Sequence, residues 1–401
     1  MLTLDLIYKA STVLQNIVRH TPLIHSDHLN PRCNIFLKTE NLQVTGSFKV
    51  RGAGFKISQL TEEEKQRGVI ACSAGNHAQG VALAAKRAGI PALICMPAGA
   101  PISKVEATRE LGAEICLVPG VYDDAYAKAV QLNEERGMTF IHPFDDEQVI
   151  AGQGTIGLEI LTKMPEVDVV YVPIGGGGLA SGLAFAMKAL KPEVRIIGVQ
   201  AEGAASMLQS RDLQHIEALQ SVLTIADGIA VKEPGEHTFE ICQKYVDQVV
   251  TVSEDEICAA ILALIEHHKL IAEGAGAVSV AAAMFDKAGG TDGKNVVCIV
   301  SGGNIDVTIL SRVINRGLLK GGRTTEMLIE MADRPGSLYN LTGVICQFGA
   351  NIISIHHERN GESPDVNSCN LRMVLETRNA EHIKQIHAGI EEAGYKILEE
   401  K

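Results

Sequence analysis

Residues 168–190 read DVVYVPIGGGGLASGLAFAMKAL. An apolar run, Asp168–Ile174, meets four consecutive glycines, Gly175 to Gly178, and a helical pattern follows. A short β-branched run that stops at glycines reads as a buried strand. A strand that passes through a tight turn into a helix is the unit from which α/β folds are built. The stretch from Val172 to Leu190 holds five glycines and Lys188, so it is a strand, a turn and a helix and not a membrane span.

The same unit recurs on both sides. Strands are expected at 34–38, 69–72, 92–96, 114–118, 168–174, 195–200, 248–252 and 296–300. Helical patterns lie between them at 80–88, 104–111, 125–136, 254–267 and 275–285. The alternation predicts an α/β fold with mainly parallel strands and helices on both faces. Ligands of such sheets sit beyond the carboxyl ends of the strands. Three turns meet that description: Ser73-Ala74-Gly75-Asn76-His77, Gly175–Gly178, and Ser301-Gly302-Gly303-Asn304.

The pattern changes after residue 315. Asn315–Thr325 (NRGLLKGGRTT) is basic and glycine-rich and reads as a linker at 316–325. Beyond it, 326–401 has the order βαββαβ of a ferredoxin-like unit. The chain is thus expected to hold a large domain at 1–315, with a smaller subdomain within roughly 45–145, and a second domain at 326–401.

Composition narrows the class. The 401 residues include no Trp and only 4% aromatics, so aliphatic side chains and glycine do the packing. A net charge of -12 repels phosphate backbones and anionic lipid heads, which argues against nucleic-acid and membrane partners. Nine cysteines without a CxxC pair read as reduced thiols in a cytoplasmic protein. Asp5 stands where a signal peptide would be apolar.

Four glycines in a row cost backbone entropy, and the cost needs a reason. Without Cβ atoms, successive N–H groups can converge on an anion at the positive end of the following helix, and a phosphate is the natural guest. Close strand–helix packing would ask for the same glycines. Neither nucleotide motif, GxGxxG with its ribose acid or GxxxxGK[ST], fits this spacing. In Gly46-Ser47-Phe48-Lys49-Val50-Arg51-Gly52, Lys49 stands beside an aromatic and among small residues. Burial would favour its neutral amine and suit it to imine formation, although a surface lysine opening a helix is the plainer reading of the segment alone. The Ser73–His77 turn offers amides and short polar side chains to a carboxylate, or an ordinary helix cap. His267-His268 reads as a solvated helix face, and Asp145-Asp146 as a solvated pair.

In order, SFKVRGA, SAGNHAQGVA, GGGGLASG and SGGN resemble the fold-type II family of pyridoxal-phosphate enzymes, and within it the threonine ammonia-lyases. The likeness spans roughly 1–315 and takes in Glu40–Gln43 (ENLQ), Thr224–Val231 (TIADGIAV) and Glu273–Ala282 (EGAGAVSVAA). It implies two open, mainly parallel sheets and pyridoxal 5'-phosphate as cofactor. It implies that Lys49 holds the cofactor as an imine and then serves as base on the substrate α-proton. Phe48 would lie near one face of the ring, Asn76 on its 3-hydroxyl, and Ser301 at its nitrogen. Gly175, Gly176, Gly177, Gly178 and Leu179 would cradle the phosphate. Ser73, Ala74, Gly75, Asn76 and His77 would meet the substrate. The reaction implied converts L-threonine to 2-oxobutanoate and ammonia, and L-serine to pyruvate.

Related serine racemases carry a serine where this chain has Ala74, and alanine cannot exchange a proton. Some relatives bind a divalent cation through a glutamate and an aspartate six residues on. Here Glu202 is followed by Leu208, so no metal is expected. Glu273 reads equally as a residue supporting the site or as a helix-start charge. The C-terminal unit resembles an ACT domain, which implies an amino-acid or nucleotide effector near Gly336 and Asn351, and assembly as a homodimer or homotetramer. The rival readings are serine racemisation, another fold-type II reaction such as β-replacement, and a non-catalytic amino-acid sensor, for which Lys49 would have no purpose.

Overall fold

The computed structural model describes residues 1–359 and 367–400. The chain divides into two units, Met1–Ile309 and Leu310–Lys401.

The first unit begins with a helix, Leu4–Leu14, whose first turn is capped by the Thr3 hydroxyl. β1 (Leu23–Ser26) and β2 (Asn34–Lys38) then pair antiparallel. The chain next builds a separate parallel sheet from β3 (Val69–Cys72), β4 (Ala92–Pro97), β5 (Glu114–Val118) and β6 (Thr139–Phe140), in the order β5-β4-β3-β6. It returns to the first sheet with β7 (Val169–Pro173), β8 (Arg195–Ala201), β9 (Gln248–Val252) and β10 (Asn295–Ile299). That sheet has the order β1-β2-β10-β7-β8-β9 and is parallel except at the β1 edge. The fold is therefore the two-sheet α/β arrangement expected. β7, the strand of the opening quotation, is buried along its whole length, which is why it reads as an unbroken apolar run.

β1 and β6 were not expected. β1 reads LIHS, too polar and short to alternate, and β6 has only two residues. The helix Glu147–Lys163 was also hidden, because Gly152, Gly154 and Gly157 depress its propensity. Those glycines serve packing. A Cβ on Gly182, in the helix Gly178–Leu190, would run into the backbone of Ile150 and Gly154, so the two helices cross backbone to backbone.

Residues 316–320, expected in a linker, are the end of a helix, Val307–Lys320. Ile309, Leu310, Val313, Ile314, Leu318 and Leu319 recur at helical spacing and outweigh Gly317. Gly322, at φ +64°, then turns the chain. The second unit follows as β11 (Thr324–Ala332), helix Ser337–Gln347, β12 (Asn351–Glu358), β13 (Ser368–Glu376), helix Ala380–Glu392 and β14 (Lys396–Glu400). Its antiparallel sheet has the order β12-β13-β11-β14, the ferredoxin-like topology expected. Among the described residues no helix is long and apolar enough to cross a membrane.

A buried ionic cluster ties β2 and the segment after it to the helices Lys49–Ser58 and Glu147–Lys163. Arg51, fully buried in the helix Lys49–Ser58, donates to both oxygens of Glu40 at 2.8 Å and to both oxygens of Glu159 at 2.7 and 3.0 Å. Lys38, at the end of β2, donates to Glu159 at 2.5 Å and to the Thr21 carbonyl at 2.7 Å. Burial alone would raise the Glu40 carboxyl, but Arg51 overrides this and holds it below its ordinary value. Lys38 is pulled down by burial against the opposing pull of Glu40 and Glu159. Removing one member leaves its partners buried and uncompensated. Arg51→Met is expected to cost about 3–5 kcal/mol of stability, read from urea unfolding by circular dichroism; a loss below about 1 kcal/mol would show that the cluster is dispensable.

Candidate active site

Lys49 opens its helix where two distant segments meet. Ser47 bridges Gly302 in antiparallel fashion, Phe48 N–H donates to the Ser301 carbonyl at 3.1 Å, and Gly303 N–H donates to Gly46 at 2.8 Å. This short pairing brings the first lysine motif against the SGGN turn after β10. The Lys49 amine donates to the Pro143 carbonyl at 2.8 Å and lies 5.4 Å from the centre of the Phe48 ring. Lys49 retains some exposure, yet the surrounding walls remove enough water that burial pulls its amine down to about 8, while Glu273 pulls the other way.

The segment Ile141–Asp146 connects Lys49 to the glycine turn. Pro143 holds the amine, and the ring of the next residue, Phe144, lies where a Cβ on Gly176 would fall. A Cβ on Gly178 would come within 2.9 Å of the Phe144 carbonyl. Gly177 takes φ +100°, a conformation that side chains disfavour. Behind the turn, the Thr238 hydroxyl donates to the Gly176 carbonyl at 2.6 Å, and Asp145 accepts from Thr238 N–H at 3.0 Å. None of the amides from Gly175 to Leu179 donates to a protein group among the described residues. They sit at the N-terminal end of the helix Gly178–Leu190, where backbone donors and dipole favour an anion. The Leu179 side chain itself is buried in the core under the large sheet, so it can contribute only its amide.

The other predicted residues fall around this centre. Asn76 begins the helix Asn76–Ala88. Its side-chain nitrogen donates to Glu273 at 2.6 Å, and its oxygen accepts from Asn304 at 2.8 Å. Asn304 also donates to the Thr45 carbonyl at 2.8 Å and to Gln79 at 3.2 Å. Buried Ser301 donates to the Ala275 carbonyl at 3.1 Å. Ser73 accepts from Gly75 N–H at 3.1 Å, and a Cβ on Gly75 would meet nothing within 4 Å, so the turn fronts open space. Ala74 is half-buried against the core of the smaller sheet.

His77 departs from expectation. Its ring is buried and tied to the Ile141 carbonyl at 2.8 Å, and burial and then Lys49 push it down to about 3. It is a neutral support for the turn, and its side chain is not placed to bind a substrate. Asp145 and Asp146 are not a solvated pair either. Asp145 buttresses Thr238, while Asp146 caps the helix Glu147–Lys163 and pairs with Lys56 at 2.7 Å. His267 and His268 are not simply solvated: His267 stacks on His28, and His268 meets the Ser26 hydroxyl at 2.8 Å. Glu273 proves to support the site, with burial and then Asp227 raising its carboxyl to about 7. Gly336 and Asn351, the candidate effector residues, do not converge. Gly336 follows the end of β11, whereas Asn351 starts β12 opposite Glu376, at the other end of the same sheet.

Phe144, His142, Thr238 and Asn304 carried no sequence-based assignment. The His142 ring accepts from Asp145 N–H at 2.7 Å and packs edge-on against Phe144 at 4.7 Å, shaping the connecting segment. Only Asn304 stood within a quoted motif; the others contribute through tertiary contacts that spacing does not encode.

The donor set fits a phosphorylated aldehyde. Free amides at a helix start suit a phosphate, a desolvated amine is held by the segment that packs on the same glycines, and a fixed carboxamide and a neutral hydroxyl lie on the neighbouring segments. The profile of the family described as "Pyridoxal-phosphate dependent enzyme" matches residues 14–302. The chain is 48% identical to the L-threonine ammonia-lyase of Thermotoga maritima over 399 residues, 99% of each chain. The structure of the processed form of threonine deaminase isoform 2 from Solanum lycopersicum superposes with a TM-score of 0.75 at 40% identity, over 79% of this chain and 94% of that one. Maize serine racemase gives a TM-score of 0.75 at 36% identity, over 79% of this chain and 98% of that one. With its amine, its glycine cradle and this kinship, the chain belongs to the pyridoxal-phosphate-dependent enzymes.

Proposed function

We propose that the chain removes water and then ammonia from L-threonine, releasing 2-oxobutanoate, and converts L-serine to pyruvate in the same way. The observation that carries this reading is the 48% identity, end to end, with an L-threonine ammonia-lyase. Pyridoxal phosphate supplies an aldehyde for an amine and a conjugated ring that takes up electrons from the substrate's α-carbon. Gly175 to Leu179 would hold its phosphate, Lys49 its aldehyde carbon, and Asn76 and Ser301 its ring.

Lys49 needs a neutral amine, first to bond to the cofactor and then to take the substrate's α-proton. Burial supplies it nearer to neutral pH than the ordinary 10.5. Asn76 is fixed between Glu273 and Asn304, so its carboxamide keeps one orientation. Ser301 spends its proton on Ala275 and brings no charge, so that end of the site offers no strong electrostatic pull. Electrons freed at the α-carbon then leave most easily with the β-hydroxyl. The amides and hydroxyl of the Ser73–Gly75 turn would receive the substrate carboxylate. Ala74 offers no second proton carrier, which counts against racemisation.

Below about pH 8 Lys49 is an ammonium and above it a free amine. Reconstitution of cofactor-free protein with pyridoxal phosphate should therefore speed up as pH rises and level off above about 8, as read by the rise of visible absorbance. Lys49→Ala should release no 2-oxobutanoate from threonine. A midpoint near 10.5, or turnover by the variant, would refute the assignment of this lysine.

Ala74→Ser is expected to raise D-serine formation from L-serine, because it places a hydroxyl in the substrate turn. Chiral chromatography of residual serine after partial reaction reads the outcome, and an unchanged D-serine fraction would remove this position from control of the reaction.

The proposal extends to regulation. The ferredoxin-like unit would act as an ACT-type domain for an amino-acid or nucleotide effector, in a cytoplasmic homodimer or homotetramer. The end-to-end match to the Thermotoga relative, which includes this unit, supports the reading, and nine free cysteines suit a reducing compartment. A chain ending at Arg323 should keep threonine turnover and lose any response to isoleucine, valine or nucleotides. Retained response in the truncated chain would place the effector site in the first unit.

A further inference from the structure

Three side chains of different chemistry converge at one end of the ferredoxin-like sheet. Cys369 lies near the start of the middle strand β13 and is fully buried. On one side of it β11 ends, and Asp333 follows. On the other, β12 carries His357. The His357 Nε2 lies 2.8 Å from the Cys369 sulfur and 3.9 Å from an oxygen of Asp333. One donor atom from each residue falls within 4.8 Å of the other two.

The backbone holds these positions. Met331 pairs with Cys369 and Ala332 with Ser368 in the β11–β13 ladder. Asp333 N–H extends that ladder by donating to the Asn367 carbonyl at 2.8 Å. His357 pairs with Leu371, two residues from Cys369 on the same face of the pleat.

The geometry is not that of a proton relay. A carboxylate–imidazole–thiol relay would use both ring nitrogens, one for each neighbour. Here the carboxylate oxygen and the sulfur both face Nε2. The sulfur lies within hydrogen-bond distance of Nε2 and the carboxylate oxygen, at 3.9 Å, lies beyond it, so a cation taken up between the three would draw on all of them once the Nε2–sulfur separation widens to about 3.5 Å, the spacing that ordinary metal–ligand distances set. We propose that Asp333, His357 and Cys369 form a binding site for one divalent transition-metal ion of the zinc class.

The donor set selects the ion. One thiolate, one imidazole and one carboxylate suit zinc or cobalt, while calcium and magnesium want oxygen alone. Three protein ligands leave a fourth position open to water or to a small ligand. Two neighbours complete the surroundings. The Met331 carbonyl lies 3.6 Å from the sulfur as a weak acceptor. Arg359, largely exposed, donates to one Asp333 oxygen at 3.0 Å and to the other at 3.3 Å. Its shorter contact is on the oxygen that does not face His357. The ion can therefore take the facing oxygen while Arg359 keeps the other, as outer partners of ligating carboxylates do. The three residues come from two strands and the end of a third, so no short metal-binding spacing marks them in the sequence. The proposal is independent of the substrate assignment.

The test uses the full-length protein with pyridoxal phosphate bound. It is stripped with chelator, dialysed against buffered Zn²⁺, and assayed for metal by mass spectrometry and zinc-edge X-ray absorption. About one zinc per chain is expected, with one sulfur at about 2.3 Å and nitrogen or oxygen ligands at about 2.0–2.1 Å. His357→Gln should weaken zinc binding at least about 10-fold, since loss of a ligand should exceed the loss of an outer partner. Cys369→Ser should remove sulfur from the spectrum. Because Cys369 is buried and its replacement disturbs the core, the partly exposed His357 gives the deciding variant. Failure to retain zinc, a sulfur-free spectrum in the wild type, or binding unchanged by His357→Gln would overturn the proposal.

Discussion

Arg51 has no access to water, and its guanidinium must find every partner inside the protein. It finds Glu40 from the segment after β2 and Glu159 from the long helix before β7, with Lys38 completing a neutral set of four charges. Arg51 lies two residues beyond Lys49 in the same helix, so the charge cluster fixes the rotation and depth of the helix that presents the amine. The cluster also ties elements of the large sheet to that helix. Gln43 extends the tie by bonding the backbone of Arg19 on both its N–H and its C=O, at 2.7 and 2.8 Å. The ENLQ run thus has a mechanical meaning: Glu40 anchors Arg51, and Gln43 fastens the segment that precedes β1.

Around Lys49, burial drives the amine itself, Glu273 and His77 toward their neutral forms. The amine falls to about 8, Glu273 rises to about 7, and His77 falls to about 3. The direction is common because the cause is common: desolvation penalises whichever form carries charge. The charge of the amine and of Glu273 is thereby made easy to remove where a dianionic phosphate and a zwitterionic amino acid have to be accommodated. Anion binding is left to backbone amides, which carry no titration of their own, and which the glycines leave uncovered.

The sheets were legible wherever burial on both faces produced unbroken apolar runs, as in β3, β4 and β7. They were not legible at β1 and β6, where a strand is short or half polar and only its partner defines it. The site followed the same division. Gly175–Gly178 were costly enough to demand a reason by themselves, whereas Lys49, Asn76 and Ser301 stood out only through the resemblance of their motifs to a known family, and the fold brings their segments together. Phe144, His142 and Thr238 reach the site through a connecting segment and a neighbouring helix, and nothing in their local sequence distinguishes them from packing residues. His77 was misread because its motif places it beside Asn76 in sequence, while the first helical turn rotates its ring into the core. The linker was misread because three glycines and three basic residues drew attention from six aliphatic residues at helical spacing.

The placement of Gly336 and Asn351 sets a rule of symmetry. Along β12, from Asn351 to Glu358, the sheet advances about 23 Å at roughly 3.3 Å per residue. Glu358 pairs with Asn370 at the end near which β11 stops, so the two candidate residues of one chain stand too far apart to grip one small molecule. A ligand that touches both must take Gly336 from one copy and Asn351 from another. Under a two-fold axis the reverse combination is created at the same moment, so such ligands come in pairs, and each one occupied ties two chains together. Effector binding and subunit pairing would then be linked equilibria, with protein concentration itself acting as a variable of regulation.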